Sequence, residues 1–332
     1  MPGDAAVIMV SERLARRRHA KLITRRSFFD FTGQDLSWAY CFRASEASYF
    51  DTDGLLKWAP ANKLRIERDP GTLERFALIE PESTNIVTWS EDLNQSPWLG
   101  SNATIAANLS VAPDGKTAME ALRDTTANSN HNVQAAYGTI TTGQTWTISS
   151  FLKSGSHSVA QITLSTTRFS AGYYANFRMS DGTIQNNLAA AGKTIRNAGG
   201  GIYRGSVTGT ASSSGSSTTT FVYAMINNNG SLSRLSTYVG ANNGFFAWGA
   251  QMELAAEPTS YIRTAGAAAT RKADRVLIDL SGWDWPVTLR AKKAALNSDV
   301  FADVDYPNVI PSSIFDLSAL VGSCRLKSVT VL

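Results

Sequence analysis

Between residues 85 and 265, short runs of alternating apolar and polar residues recur roughly every ten to fifteen residues, each closed by a turn signal. A period of two marks a strand with one buried face. QTWTISSFL sets Trp146, Ile148 and Leu152 on one side, and AQITLS does so with Ala160, Ile162 and Leu164. YYANFRM aligns Tyr173, Ala175, Phe177 and Met179, while TTFVYAMI is apolar on both faces and belongs at the centre of a sheet. Turns come from KSGS, SDGT, NAGGG and ANNG, and helical periodicity is absent. The pattern predicts an all-β chain, an antiparallel β-sandwich of the jelly-roll kind. In FFAWGAQMELAAEPTSYIRT, the even-numbered Phe246, Trp248, Ala250, Met252 and Leu254 form the expected inner face of its last strand. Pro258 would end that strand, and Tyr261-Ile262 would latch onto the closed sheets.

Charged residues make up 17 % of the chain against 43 % hydrophobic, so Ser, Thr, Asn and Gly carry the polar share. That is the composition of β-rich binding surfaces rather than of helical enzymes. The net charge of +4 is local: Arg13, Arg16, Arg17, Arg18, Lys21, Arg25 and Arg26 crowd the amino-terminal stretch, and the remainder is near neutral. A general nucleic-acid footprint is not supported. Cys41 and Cys324 are nearly the whole chain apart and read as two buried free thiols in preference to the alternative, a terminus-to-terminus disulfide. No apolar run has the length of a membrane helix, so membrane insertion is not expected. TRRSFFD mimics a twin-arginine export signal, but FTGQDLSWAY follows where an apolar stretch should stand. The chain is expected to be made in a bacterial-type cytoplasm.

Four regions follow from these patterns. Residues 1–30 form a basic arm with a short helix capped by Ser11, read either as a partner-anchoring arm or as a solvated terminus. Residues 31–84 are extended pieces leading into the sandwich, with Asp53-Gly54 turning a hairpin in ASYFDTDGLLKWA. Residues 85–265 are the jelly roll. Residues 266–332 are a small-residue linker and an irregular carboxy-terminal interaction segment, in which Trp283 and Trp285 meet a partner or pack back on the protein.

Several stretches, in order, resemble a known family: FRASEASYFDTDGLLKWAPANKLRIERDPGTLERFALIEPESTNIVTWSEDLNQSPW, APDGKTAMEAL, TWTISSFLKSGSH, ANFRMSDGTI, GIYRGSVTGTA and FFAWGAQMELAAEPTSYIRTAGAAATRKAD. The chain is similar, over roughly residues 40 to 275, to the carbohydrate-binding-module-like jelly rolls of phage tail-fibre, head-fibre and spike proteins, including those of phage-like gene-transfer particles. The family pattern W-G-A-Q-x-E, T-S-Y-I-x-T and T-R-x-A-D is matched by Trp248, Gly249, Ala250, Gln251 and Glu253, by Thr259, Ser260, Tyr261, Ile262 and Thr264, and by Thr270, Arg271, Ala273 and Asp274. Ile202 departs from it, standing where the family commonly has Trp. The resemblance implies a structural protein on the virion surface, contacts with other virion proteins, host polysaccharide as ligand, and a homo-oligomer, with a trimer favoured by family habit. Residues Arg16, Arg17, Arg18, Arg25, Arg26, Trp283 and Trp285 are the expected anchoring set.

Signatures of an enzyme are missing: no phosphate loop, nucleophile elbow, H-E-x-x-H or C-x-x-C occurs. His19, His131 and His157 lack a carboxylate or cysteine at ligand spacing and read as surface or turn residues. No catalytic residue, cofactor or metal is expected, and no D-x-D-x-D spacing supports a structural calcium. Glu120 and Asp124 share a strand face without making a site. Sugar binding needs aromatic faces and planar polar groups. Tyr174, Asn176 and Arg178, opposite Phe177, form the expected sheet-face patch, with Asn227, Asn228, Asn242 and Asn243 in the next candidate loops. A purely structural adaptor without glycan binding and a capsule depolymerase remain the alternatives.

Overall fold

The computed structural model describes residues 28–33, 36–170, 173–185, 192–216, 220–228, 231–280, 282–283, 286–312 and 314–332. Residues 1–27 of the basic arm, including Arg16, Arg17, Arg18, Arg25 and Arg26, and also Trp285, lie outside the described residues, whereas Phe28–Asp30 of that arm form a strand. What is described is all-β and antiparallel, with one short helix, Leu317–Val321. No helix there is long and apolar enough to cross a membrane.

Two six-stranded sheets form the larger body. One runs Gly192–Asn197, Ile202–Thr210, Thr145–Lys153, Gly244–Glu253, Ala118–Asp124, Ala103–Val111; the other runs Thr183–Ile184, Tyr174–Arg178, Val159–Leu164, Phe221–Met225, His131–Ala135, Leu99–Ser101. The alternating residues meet between them as the pattern dictates. Trp146, Ile148 and Leu152 pack with Ala160, Ile162, Leu164, Ala175, Phe177 and Met179 in one core. Phe221–Met225 sits in the interior of its sheet, between Val159–Leu164 and His131–Ala135, and every residue of it is buried.

The last strand breaks the expected even-numbered face. Ser149 pairs with Gln251 but Phe151 pairs with Trp248, so the Gly244–Glu253 strand carries one extra residue at this point. Gly249 takes φ +64° there, and the bulge reverses the alternation. Phe245 and Ala247 before it, and Ala250 and Met252 after it, enter the body core. Trp248 turns to the opposite side and packs with Phe151 and Tyr261, at 5.6 and 4.8 Å between ring centroids, while Leu254 is 55 % exposed.

The carboxy-terminal segment is not an irregular extension. Cys324–Val331 pairs with Val287–Ala294 on one side and with Arg75–Ile79 and Phe28–Asp30 on the other. Ala39–Phe42 pairs with Arg275–Ile278 in a second, three-stranded sheet. Segments within 28–79 and 276–331 thus build one base around Phe29, Phe31, Ile79, Val276, Leu289, Leu317 and Val329. The prolines that interrupt this segment obscured its strands: Pro307 lies in Ala302–Val309, an edge strand, where a missing N–H is tolerated. Cys41 and Cys324 are free and buried in this base.

A third cluster seats a hairpin on the body. The hairpin Ala47–Phe50 and Leu56–Ala59, turned at Gly54 as its sequence predicts, packs Leu56, Phe50 and Trp58 with Met119, Phe151, Trp248 and Tyr261. A Cβ at Gly249 would lie 2.9 Å from the Phe151 ring and 3.3 Å from Tyr261, in a conformation that L residues avoid. Gly249→Val is therefore expected to lower unfolding stability by about 2–4 kcal/mol in urea titration. A stability within 0.5 kcal/mol of wild type, about what a neutral surface change gives, would contradict the bulge as described.

Candidate functional site

Residues of the FRASEASYF, WGAQME, TSYIRT and TRKAD stretches come together in a polar junction under the body. Asp274 accepts from Arg43 Nη1 at 2.7 Å, from Arg65 Nη2, and from the backbone N of Glu80 at 3.0 Å. Glu80 in turn takes Arg65 Nη1 at 2.8 Å and the backbone N and hydroxyl of Ser260, both at 2.6 Å. Arg271 Nε stands 3.5 Å from Glu80 and its Nη2 donates to the Pro81 carbonyl at 2.8 Å. All five charged side chains are buried. Burial alone would raise the Glu80 carboxyl, but Arg271, Arg65 and the Ser260 donors outweigh it and hold it at about 2.

Gln251 and Glu253 are absorbed by the same junction. Gln251 Nε2 donates to Glu253 Oε1 at 2.7 Å, and its Oε1 accepts from the Ile262 N–H at 2.7 Å. Glu253 also accepts from the Thr259 N–H at 3.0 Å and from the hydroxyls of Thr259 and Ser83 at 2.6 Å each. These residues hold the 258–264 segment in place. Tyr261, 1 % exposed, completes the latch through Ser90 Oγ at 2.7 Å and Glu91 Oε1 at 3.0 Å. A cavity of about 80 Å³ beneath the latch, lined by Glu67, Arg204 and Phe151 among others, has room for a few waters and not for a sugar ring.

The expected sheet-face patch is closed. Tyr174 and Asn176 do lie opposite Phe177, but Asn176 is fully buried, its Oδ1 accepting from Gln161 Nε2 at 2.7 Å and its Nδ2 donating to the Leu232 carbonyl at 2.5 Å. Leu235 N–H donates to Gln161 Oε1 at 2.9 Å and Arg234 Nε to Thr163 Oγ1 at 2.9 Å, so the 231–236 segment covers the face. Only Arg178 keeps substantial exposure, 42 % of its side chain. Asn227 is half-buried. Asn228 clamps the neighbouring loop, accepting from Ser158 N–H at 2.8 Å and donating to the Ser156 carbonyl at 3.0 Å. Asn242 is exposed at φ +59°, and the Asn243 N–H donates to Asp124 at 2.8 Å. Trp283 is half-buried against the base core.

Two histidines differ from their sequence reading. His131 and His157 are buried rather than on the surface, and His157 Nε2 meets Asp124 Oδ2 at 2.9 Å, which also accepts from Tyr238 OH at 2.8 Å. Thirty-three positions separate that pair, so local spacing carried no signal. Among the described residues, no group of three or more His, Cys, Asp or Glu is placed to hold a metal ion.

Among the described residues lies an open groove of about 580 Å³, a size that accommodates one or two sugar rings. The edge strand Ala103–Val111 makes it. Met119 pairs with Ser110 and Ala121 with Ala106, so Ala107, Asn108 and Leu109 bulge out opposite Glu120, with Asn108 at φ +60°. Glu91, Asp92, Asn94 and Gln95 face the bulge from the 91–95 segment. Glu120 is 3 % exposed and accepts from Asn94 Nδ2 at 3.1 Å. Burial, reinforced by the Asp92 charge and only partly opposed by Asn94, pushes its carboxyl up to about 7. Sequence reading paired Glu120 with Asp124; the bulge that opens the site left no mark beyond Asn108.

No family model matches the chain, and no curated protein matches it.

Two pH effects of opposite sign follow. Glu80 titrates lower folded than its ordinary 4.5, so it contributes about 3 kcal/mol above pH 4.5 that is lost as pH falls toward 2. Glu120 titrates higher folded than unfolded, so its penalty is absent below pH 4.5 and grows as pH rises through 7. Glu80→Gln is expected to cost about 3–5 kcal/mol at pH 7, because it leaves buried arginines uncompensated, and to flatten the acid limb of stability against pH. Glu120→Gln should raise the melting temperature at pH 8 and leave it unchanged at pH 4.5. Calorimetry across pH checks both, and equal effects of Glu120→Gln at the two pH values would contradict the assignment.

Proposed function

We propose that the chain is a non-enzymatic structural protein of a phage or phage-like virion, a fibre or spike, that binds host surface polysaccharide through a jelly-roll domain. The groove beside Asn108 carries this reading, because carboxylates and amides converging on an open space of sugar size suit a hydroxyl-rich ligand.

Strand order supports the fold assignment. Take Ala118–Asp124, His131–Ala135, Thr145–Lys153, Val159–Leu164, Tyr174–Arg178, Ile202–Thr210, Phe221–Met225 and Gly244–Glu253 as first to eighth. One sheet then runs sixth, third, eighth, first and the other fifth, fourth, seventh, second, which is the order of two Greek keys in a jelly roll. The virion assignment rests on the stretches shared with phage fibre and spike jelly rolls. A base set apart from the groove-bearing body suits attachment to other virion proteins, and repetition in a symmetric oligomer, a trimer by family habit, would raise weak single-site affinity.

Binding of the full chain to a panel of neutral, amino and acidic polysaccharides tests the reading. At least one class should be retained, with Ala107→Trp, which fills the groove, abolishing retention and Arg178→Ala leaving it intact. A chain that retains none of them is a structural adaptor, and shortening of any bound polymer would make it a depolymerase.

A further inference from the structure

The groove holds a carboxylate that the fold does not need. Glu120 is 3 % exposed, its one hydrogen bond comes from Asn94, and among the described residues it has no ion-pair partner. A buried carboxylate without a cation costs folding energy that an isosteric amide would avoid, and such groups concentrate at sites of binding or chemistry. Its charged neighbours in the lining are Glu91, Asp92 and Lys116. Glu91 is engaged by Arg263 Nε at 2.8 Å, and Asp92 is held by the Asn94 N–H at 3.1 Å and Gln95 Nε2 at 2.9 Å. Three carboxylates therefore face one exposed lysine. A second unused group lies in the same wall: Trp248 lines the groove, is fully buried, and keeps its Nε1–H without a partner. The site thus has an acceptor that lacks a cation and a donor that lacks an acceptor. An amino sugar supplies both, an ammonium for the carboxylate and ring or hydroxyl oxygens for the N–H and the amides. A uronate or sialate would meet repulsion instead.

Resting on the glycan-binding reading, we propose that the ligand of this groove is a polysaccharide bearing free ammonium groups, an N-deacetylated hexosamine polymer, with Glu120 as counter-ion. The bound ammonium holds Glu120 ionised, so affinity falls on acidification while the amine stays charged.

Titration calorimetry of the full chain at pH 7 with chitosan, chitin and polygalacturonate oligomers of equal length tests this. The deacetylated oligomer should bind at least about tenfold more tightly than the acetylated one, a difference of about 1.4 kcal/mol, and the uronate should not bind. Chitosan affinity should also fall at pH 5.5. Glu120→Gln should weaken chitosan binding at least about fivefold at unchanged near-UV circular dichroism, and Asp92→Asn, on the surface segment, serves if that variant misfolds. Equal binding of the acetylated oligomer, preference for the uronate, or indifference to both substitutions overturns the amino-sugar assignment while glycan binding stands. Failure of every saccharide in both panels removes the two together.

Discussion

A buried carboxylate between two buried guanidiniums fixes how this chain is put together. The Asp274 carboxylate is buried between Arg43 and Arg65; without it, among the described residues, Arg43 would have no other carboxylate beside it, and Arg65 would keep only Glu80. Arg43 and Arg65 flank the hairpin that packs on Trp248, Glu80 follows a base strand, and Ser260 belongs to the latch over the body. One charge cluster therefore sets the position of four chain segments. Ion pairs of this kind add little net stability over an apolar equivalent, but they tolerate few alternative arrangements. The hydrophobic clusters supply the driving force, and the junction selects a single docking of base on body.

That division of labour explains why the most conspicuous sequence features carry no ligand chemistry. Gln251 and Glu253 spend their hydrogen-bonding capacity on Thr259, Ile262 and Ser83. Asp274 spends its own on Arg43, Arg65 and the Glu80 N–H of the junction. Asn176 and Gln161 are tied to each other and to the covering loop. The edge strand that bulges around Glu120, a place with no motif of its own, instead sets a buried carboxylate without an ion-pair partner among the described residues beside the unpartnered Nε1–H of Trp248.

The strands of the body were legible because period-two alternation is local, and Trp146–Leu152, Ala160–Leu164 and Ala175–Met179 obey it without interruption. Gly249 was visible as a residue but not as a bulge, since a glycine in a strand does not announce that the residues beyond it change faces. The base was illegible for a different reason. Its central pairing joins Ala77–Ile79 to Cys324–Leu326, and nothing local to either segment specifies a partner so distant in sequence. The sheet-face patch failed because alternation tells which side a residue faces, not whether a loop covers that side. Glu120 could be named but not valued, because its environment is assembled from the 91–95 segment, Asn108 and Trp248.

The central claim is that the Asp274 cluster makes body and base one cooperative unit. Native-state hydrogen exchange on wild type and Asp274→Asn tests it most directly, with Ile148 and Met252 reporting the body core and Leu289 and Val329 the base core. The account predicts that all four amides open with one shared free energy in wild type. In the variant, Leu289 and Val329 should open at several kcal/mol less, the cost of breaking a buried pair, while Ile148 and Met252 keep most of their protection. Equal protection of the base amides in wild type and variant would contradict it.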